Sequence, residues 1–471
     1  MIISVLRPVC RASKKILLLA FFSMMPLLTF ASSGNAPTLG PIRIEFILFG
    51  LVLLGVALFH KHTFWVAVSG LTVILLFKFI FDPGFHFMEH MFGELPLGEQ
   101  LLDKELRQGE WGIILNLLGL LLGFAVLSKI FEESGVPDIL PRYLPDDWKG
   151  PFLLLVFVFI MSAFLDNIAA ALIGGTIALV VFRKKVHIGY LAAIVAASNA
   201  GGSGSVVGDT TTTMMWIDGV SALNVLHAYV AAVAAFFFFA WFGSHQQDKY
   251  QVIQKESIEG LKVDWKRIAI VGIILVGAIA SNVIYDMPAL GVWIAIVIGT
   301  FFIKIPWKEV PGAIKGTVFL LCLVMCASMM PVEELPNASW ATAFALGFLS
   351  SVFDNIPLTK LCLDQGHYDW GMLAYAVGFG GSMVWFGSSA GAAITNKFPE
   401  GRNVILWIRK GWHVAVAYVI GFFTLYLILG WEPADNKEHK IINCPVPGCP
   451  MAGHEEGHGT VGYLELLKET E

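Results

Sequence analysis

Charged side chains are scarce in this 471-residue chain, at 14% of the total. Soluble domains carry about 25%, so an ordinary water-facing surface is excluded. Basic clusters are missing too. No loop gathers a large Lys/Arg patch and no aromatic–basic interleaving lies outside the apolar runs, which excludes nucleic acid as a partner. The formal net charge of −5 adds little, because the charges sit in loops. Cysteine is thin, six in all, and Cys322, Cys326 and Cys362 fall in apolar runs where a thiol acts as a small hydrophobe. What the chain has instead is hydrophobicity, 56% of its residues with a mean hydropathy of +0.71.

A helix that crosses a bilayer needs about 20 apolar residues. Runs approaching that length lie at 42–60, 63–81, 111–130, 188–216, 221–243, 268–286, 289–305, 312–330, 371–396 and 411–430. Residues 1–31 pair Arg7, Arg11, Lys14 and Lys15 with a short apolar stretch and small residues, as a signal peptide or a first hydrophobic segment does. Two further regions, 151–182 and 340–368, are too long for one helix and carry a polar interruption near the middle. An arm of about 15 residues rises ~22 Å, short of the ~30 Å hydrocarbon core. Such pairs read as re-entrant hairpins, entering and leaving on one side.

Cytoplasmic loops are rich in Lys and Arg, and this tests the hairpins. Starting outside at residue 32, Lys61 falls inside. The stretch 82–110 falls outside, with Asp82, Glu89, Glu94, Glu99, Asp103, Glu105 and Glu110 against Lys104 and Arg107. Lys129, Arg142 and Lys149 come inside. The triplet Arg183, Lys184 and Lys185 joins them only if 151–182 is a hairpin. Lys249, Lys255, Lys262, Lys266, Arg267, Lys304 and Lys308 follow inside, and Glu333 and Glu334 outside. Treating 340–368 as a hairpin keeps Lys397, Arg402, Arg409 and Lys410 inside and leaves the C-terminal tail outside.

The expected fold is therefore an all-α polytopic membrane protein with about ten transmembrane helices plus two re-entrant hairpins. After an extra helix at 42–60, the order span, span, hairpin, span, span over 63–243 recurs over 289–430 with opposite orientation. Residues 268–286 form a linker helix and 431–471 a polar tail. Inverted-topology repeats of this kind put the binding site near the midplane, where broken helices meet.

The repeat is visible in letters. Ser162-Ala163-Phe164-Leu165-Asp166-Asn167-Ile168 matches Ser350-Ser351-Val352-Phe353-Asp354-Asn355-Ile356 at an offset of 188, and Ala200-Gly201-Gly202-Ser203 matches Phe379-Gly380-Gly381-Ser382 at 179. An Asp-Asn pair at a hairpin tip puts a carboxylate and an amide at membrane depth, where an ionisable side chain marks a functional site. Capping of the second arm is the structural alternative, and the two roles can coexist. Between Asn199 and Ser205 the glycines Gly201, Gly202 and Gly204, followed by Gly208, will not hold a regular helix. The break exposes backbone groups beside Asp209, Thr211 and Thr212. Its partner runs from Gly378 through Gly381 and Ser382 to Ser388. Hard oxygen ligands suit a small cation, and helix N-termini an anion; close helix packing is the plainer use of such small residues.

The strings SAFLDN, SNAGGSGSVVGDTTTTMMWI, SSVFDNIPL and GFGGSMVWFGSSAG resemble the signature elements of NhaD-type sodium/proton antiporters. These belong to the ion transporter superfamily, with citrate and dicarboxylate carriers and arsenite-pump membrane subunits. The resemblance covers about 60–430 and places Asp166, Asn167, Asp209, Thr211, Asp354 and Asn355 on antiporter-like positions. It implies a homodimer with a scaffold and a moving transport domain in the inner membrane. It also implies alternating access, sodium and protons as cargo, and no resident cofactor. Lys360 departs from the pattern. It either snorkels to the outer interface or pairs with Asp354 or Asp209 as a charge modulator, and the latter would favour a proton- or sodium-coupled citrate or other carboxylate carrier.

Lesser signals remain. His86-Phe87-Met88-Glu89-His90 fits an H-x-x-E-H metal motif but sits in a short external loop. The tail holds Cys444, Cys449, His454 and His458, which read as a Cys444–Cys449 disulfide or a metal site without standard spacing. A membrane metalloprotease built on either cluster is the rival from another class; the expectation is a transporter, not an enzyme. Trp216, Trp241, Trp385 and Trp431 read as interface anchors.

Overall fold

In hydrocarbon every backbone polar group must find a partner within the protein, and an apolar run does this most simply as a helix. The computed structural model describes residues 37–434 except 41, 60–61 and 255–261. The leader at 1–31 and the tail residues Cys444, Cys449, His454 and His458 lie outside the described residues. The main helices are α1 (Ile44–Leu58), α2 (Thr63–Phe81), α3 (Trp111–Glu132), α4 (Lys149–Ser162), α5 (Asn167–Val181), α6 (Ile188–Ser203), α7 (Thr210–Ile217) and α8 (Ala228–Tyr250). They continue with α9 (Trp265–Tyr285), α10 (Pro288–Gly299), α11 (Glu309–Ser328), α12 (Trp340–Ser350), α13 (Asn355–Gln365), α14 (Trp370–Gly380), α15 (Ser389–Lys397) and α16 (Trp412–Leu429). Among the described residues six helices are long and apolar enough to cross a membrane. This is an all-α polytopic membrane protein.

Two spans come out shorter than their apolar runs. The run 289–305 is helical only to Gly299, which packs against Ile270; the chain then turns out ahead of Pro306, leaving Phe301 82% exposed. The run 42–60 is a 15-residue helix. Trp216 and Trp385 are buried at the broken helices and are not interface anchors, whereas Trp241 is exposed.

The regions 151–182 and 340–368 are helix–turn–helix pairs whose arms pack on each other, α4 on α5 and α12 on α13. Their arms of 14, 15, 11 and 11 residues are too short to cross. The two ends of the first pair come together at the C-terminal end of α8. Gln254 N–H donates to Val181 O at 2.8 Å, Gly150 lies against Ile253, and Gln247 Nε2 donates to Lys185 O at 3.1 Å. The ends of the second pair meet where Gln365 Nε2 donates to Pro336 O at 2.8 Å. From there the chain reaches Gly371, which lies against Asn224 and His227 at the N-terminal end of α8. α8 has 23 residues, about 34 Å of rise, so the two mouths lie at opposite ends of a membrane-length helix. Arg183, Lys184 and Lys185 gather at one end, while Glu432 N–H donates to Asp369 Oδ2 at 3.1 Å at the other.

Each hairpin leans on a broken helix at a glycine. A side chain on Gly201 would run into the backbone of Phe159 in α4, and one on Gly380 into the backbone of Gly347 in α12. Beyond the break the arms are exchanged: α5 packs on α15, and α13 on α7.

Two outcomes follow from this packing. In a cysteine-free chain in sealed vesicles, Lys149→Cys and Lys185→Cys should label from the same side and Asn337→Cys from the other; a split between the first two removes the first hairpin. Gly201→Ala and Gly380→Ala should each cost about 1–3 kcal/mol, measured as a lower Tm in detergent.

Candidate functional site

The hairpin turns end at Asp166 and Asp354, each at the N-cap position of the return arm. Asp354 Oδ1 accepts the N–H of Ile356 at 3.1 Å, so this carboxylate caps its helix. Asp166 makes no side-chain cap bond. The N–H groups of Asn167, Ile168 and Ala169 nevertheless face the Asp166 carboxylate, so both aspartates sit against the start of a return arm.

α6 stays helical through Gly201 and Gly202 to Ser203, so the break starts later than the glycine run suggests, at Gly204, and the turn to Asp209 begins α7. The freed carbonyls of the turn are taken by hydroxyls. Thr212 Oγ1 donates to Ser205 O at 2.6 Å and Thr213 Oγ1 to Val206 O at 2.9 Å, and both also reach Asp209 O. The hydroxyl of Thr212 is therefore committed to the loop. In the second half α14 ends at Gly380 and α15 starts after Ser388, whose Oγ accepts Gly391 N–H at 3.2 Å. By the 179-residue offset, Ser388 stands where the first half has Asp209.

The two halves meet through a buried polar network. Asn167 Nδ2 donates to Asp209 Oδ1 at 3.0 Å and to Asn199 Oδ1 at 3.2 Å. Thr211 Oγ1 donates to Asp209 Oδ2 at 2.8 Å. Asn199 Nδ2 crosses to Ser382 Oγ at 2.9 Å, and Gly378 leaves the space that Asp209 Oδ2 occupies. The same bond recurs where each hairpin meets its broken helix: Ser162 Oγ to Ser198 O at 2.5 Å, and Ser350 Oγ to Val377 O at 2.7 Å. A carboxylate has about four lone-pair sites, so Asp209 keeps acceptor capacity beyond these bonds.

A cavity of about 660 Å³ runs from these carboxylates to one end of the molecule. Asp166, Asp209, Asp354, Ser388, Thr210 and Thr213 line its inner part, and Lys129, Glu132, Glu309 and Lys397 its mouth. α3 lines it from Leu117 to Glu132, that is, along its C-terminal two-thirds. Asn167 and Thr211 stand behind and hold Asp209, Asn199 and Ser382 extend that network, and Gly201, Gly202, Ser203, Asn355 and Gly381 are buried at the contacts between elements. Thr210 and Thr213 were not singled out from the sequence, although they belong to the threonine run; only the register of α7 tells which threonines reach the cavity.

Lys360 requires a correction. It neither snorkels nor pairs with Asp354 or Asp209: its side chain is 1% exposed, with Nζ 2.9 Å from Glu110 Oε1 and 2.7 Å from Asp364 Oδ1. The Asp364 partner was legible as an i,i+4 pair on a helix. Glu110, 250 residues away, was not. In the H-x-x-E-H stretch, His90 Nε2 lies 3.0 Å from Ser328 Oγ.

Comparison with known proteins gives these residues a setting. The chain is 24% identical over 284 residues to sodium/proton antiporter 1 of Arabidopsis thaliana, covering 50% of this chain and 48% of that protein. It is 25% identical over 333 residues to the Na(+)/H(+) antiporter NhaD of Vibrio cholerae, covering 58% and 69%. With a 46 kDa membrane protein of Mycobacterium leprae it shares 23% over 366 residues, 65% and 84%. The profile of the citrate transporter family matches residues 104–380, a stretch that holds both Asp-Asn tips and the first glycine break. The chain belongs to the citrate transporter family.

Proposed function

We propose that this protein is a secondary transporter that exchanges sodium ions for protons by alternating access across the inner membrane. One observation carries the reading: Asp166, Asp209 and Asp354 line a single cavity, and its lining lysines, Lys129 and Lys397, stand at the mouth. Lys129 is occupied by Glu132 at 2.8 Å and Lys397 by Thr176, among the described residues. Lys360, the residue that could have held an anion, spends its charge on Glu110 and Asp364. Three carboxylates without a neighbouring cation suit a small hard cation and repel a citrate.

Sodium and protons would compete for the same oxygens. Bare carboxylates moved through a low-dielectric barrier carry a desolvation cost of several kcal/mol each, so a site that is empty of both resists reorientation. A loaded site, neutralised by either ion, can turn. Exchange follows from that asymmetry without any separate coupling device, and the two ions are cargo rather than resident cofactors.

The recurring hairpin contacts support two inverted repeats, 63–243 and 289–430, with the hairpins rocking against the remaining helices. The enrichment of Lys and Arg at the cavity mouth end supports a cytoplasmic assignment for that end and a non-cytoplasmic C-terminal tail. The homodimer implied by the family stays part of this proposal.

In inverted vesicles carrying a proton gradient, sodium should collapse the gradient and citrate should not. Asp209→Asn keeps the shape of the site and removes its charge, and should reduce the sodium response to background. Collapse by citrate in place of sodium, or full activity of Asp209→Asn, would overturn the cation reading.

A further inference from the structure

The cavity ends at the carboxylates, and beyond them, toward the acidic end, lies a buried charge cluster that ion exchange does not use. Lys360 sits on α13 six residues past Asp354, about 9 Å along the helix. Its Nζ contacts Asp364 Oδ1 and Glu110 Oε1 at 2.7 and 2.9 Å. Asp364 belongs to the same helix, so that bond travels with α13 and ties it to nothing. Glu110 is different: it is the N-cap residue of α3, whose other end forms the wall and mouth of the cavity. Asp218, which follows α7, lies within electrostatic reach of Lys360, and His90 within reach of both Glu110 and Lys360.

We infer that Glu110 and Lys360 are positioning residues that latch the second hairpin to the N-terminal end of α3 and thereby keep the site open toward the basic end alone. The inference rests on the alternating-access reading above. A hairpin that rocks to open the acidic end must part from α3, and among the described residues the Lys360–Glu110 pair spans that gap. While the crevice is dry, the pair is strong, because Coulomb attraction grows as the effective dielectric falls. Once water enters, an exposed pair is worth little, so the contact releases and does not trap the other state. The latch is therefore bistable by hydration. It also explains a lysine on a helix whose tip binds cations: Glu110 and Asp364 neutralise its charge toward the site.

Sided thiol labelling tests it. In a cysteine-free full-length chain in sealed vesicles, Ile356→Cys reports the acidic side of the site, where Ile356 is 2% exposed, and Ala125→Cys reports the cavity wall. With Glu110 and Lys360 intact, an impermeant maleimide should reach position 125 from the basic side and leave position 356 unlabelled from the acidic side. Glu110→Gln should raise labelling at 356 at least about tenfold and slow it at 125, since it cuts the buried pair. Asp364→Asn, which also cuts a buried pair but leaves the Glu110 contact across the gap, should not move the two rates in opposite directions. Should Glu110→Gln not reach the membrane, Lys360→Met is scored the same way, with Lys360→Arg as the charge-retaining rescue. A protein merely loosened would label faster at both positions, and that result, or unchanged rates at both, overturns the latch. Labelling does not depend on which ion moves. Absent sodium-driven proton flux with one rate up and one down would sink the antiport reading and keep the latch; normal flux with unchanged labelling would do the reverse.

Discussion

A helix broken at membrane depth leaves backbone carbonyls and N–H groups that lipid cannot satisfy, and the centre of this molecule is organised by where those groups go. Hydroxyls do the work that water does elsewhere. Ser162 and Ser350 reach across to Ser198 O and Val377 O, Ser205 Oγ to Ala163 O, Tyr229 to Gly201 O, and Thr212 and Thr213 to the carbonyls of the first break. The serine and tyrosine bonds tie a hairpin or a flanking helix to a broken helix, and the threonine bonds close the first break itself. Gly201 and Gly380 let the hairpin and broken-helix backbones touch at these contacts. Small residues, hydroxyls and the two breaks are thus one device and not three features.

That device also sets the charge pattern. The two halves use their carboxylates unequally. Asp209 is gripped on both oxygens by Asn167 and Thr211, whereas Ser388, its counterpart, caps a helix. Asp354 caps as well. Negative charge is therefore concentrated on the first half's side of the meeting point, although the backbone contacts are matched. Symmetry of scaffold and asymmetry of charge coexist because the first is carried by glycine and serine and the second by single side chains at helix starts.

Much of this was legible in the chain. Composition and run length implied the membrane; the arms of 151–182 and 340–368 were visibly too short to cross; the basic triplet at 183–185 demanded that the first pair fold back. The Asp-Asn tips and the glycine breaks stood out because polar letters inside apolar runs are rare. What could not be read was of another kind. The selection of Thr210 and Thr213 over Thr211 and Thr212 as cavity-lining residues depends on the rotation of a short helix. The helix of the 289–305 run stops at Gly299, although apolar residues continue to Ile305. The partner of Lys360 lay on a loop 250 residues away, and no local rule reaches that far.

Lys360 shows why that gap mattered for function. A lysine six residues from a site carboxylate points to an anion cargo when considered on its own helix. Placed between Glu110 and Asp364, the same charge is neutralised before it reaches the cavity, and His90 and Asp218 add to the surroundings that hold it there. On the exchange proposed above, the charges nearest the inner end of the cavity are then those of Asp166, Asp209 and Asp354. A single long-range ion pair converts an apparent argument for carboxylate binding into an argument about which end of the molecule is closed.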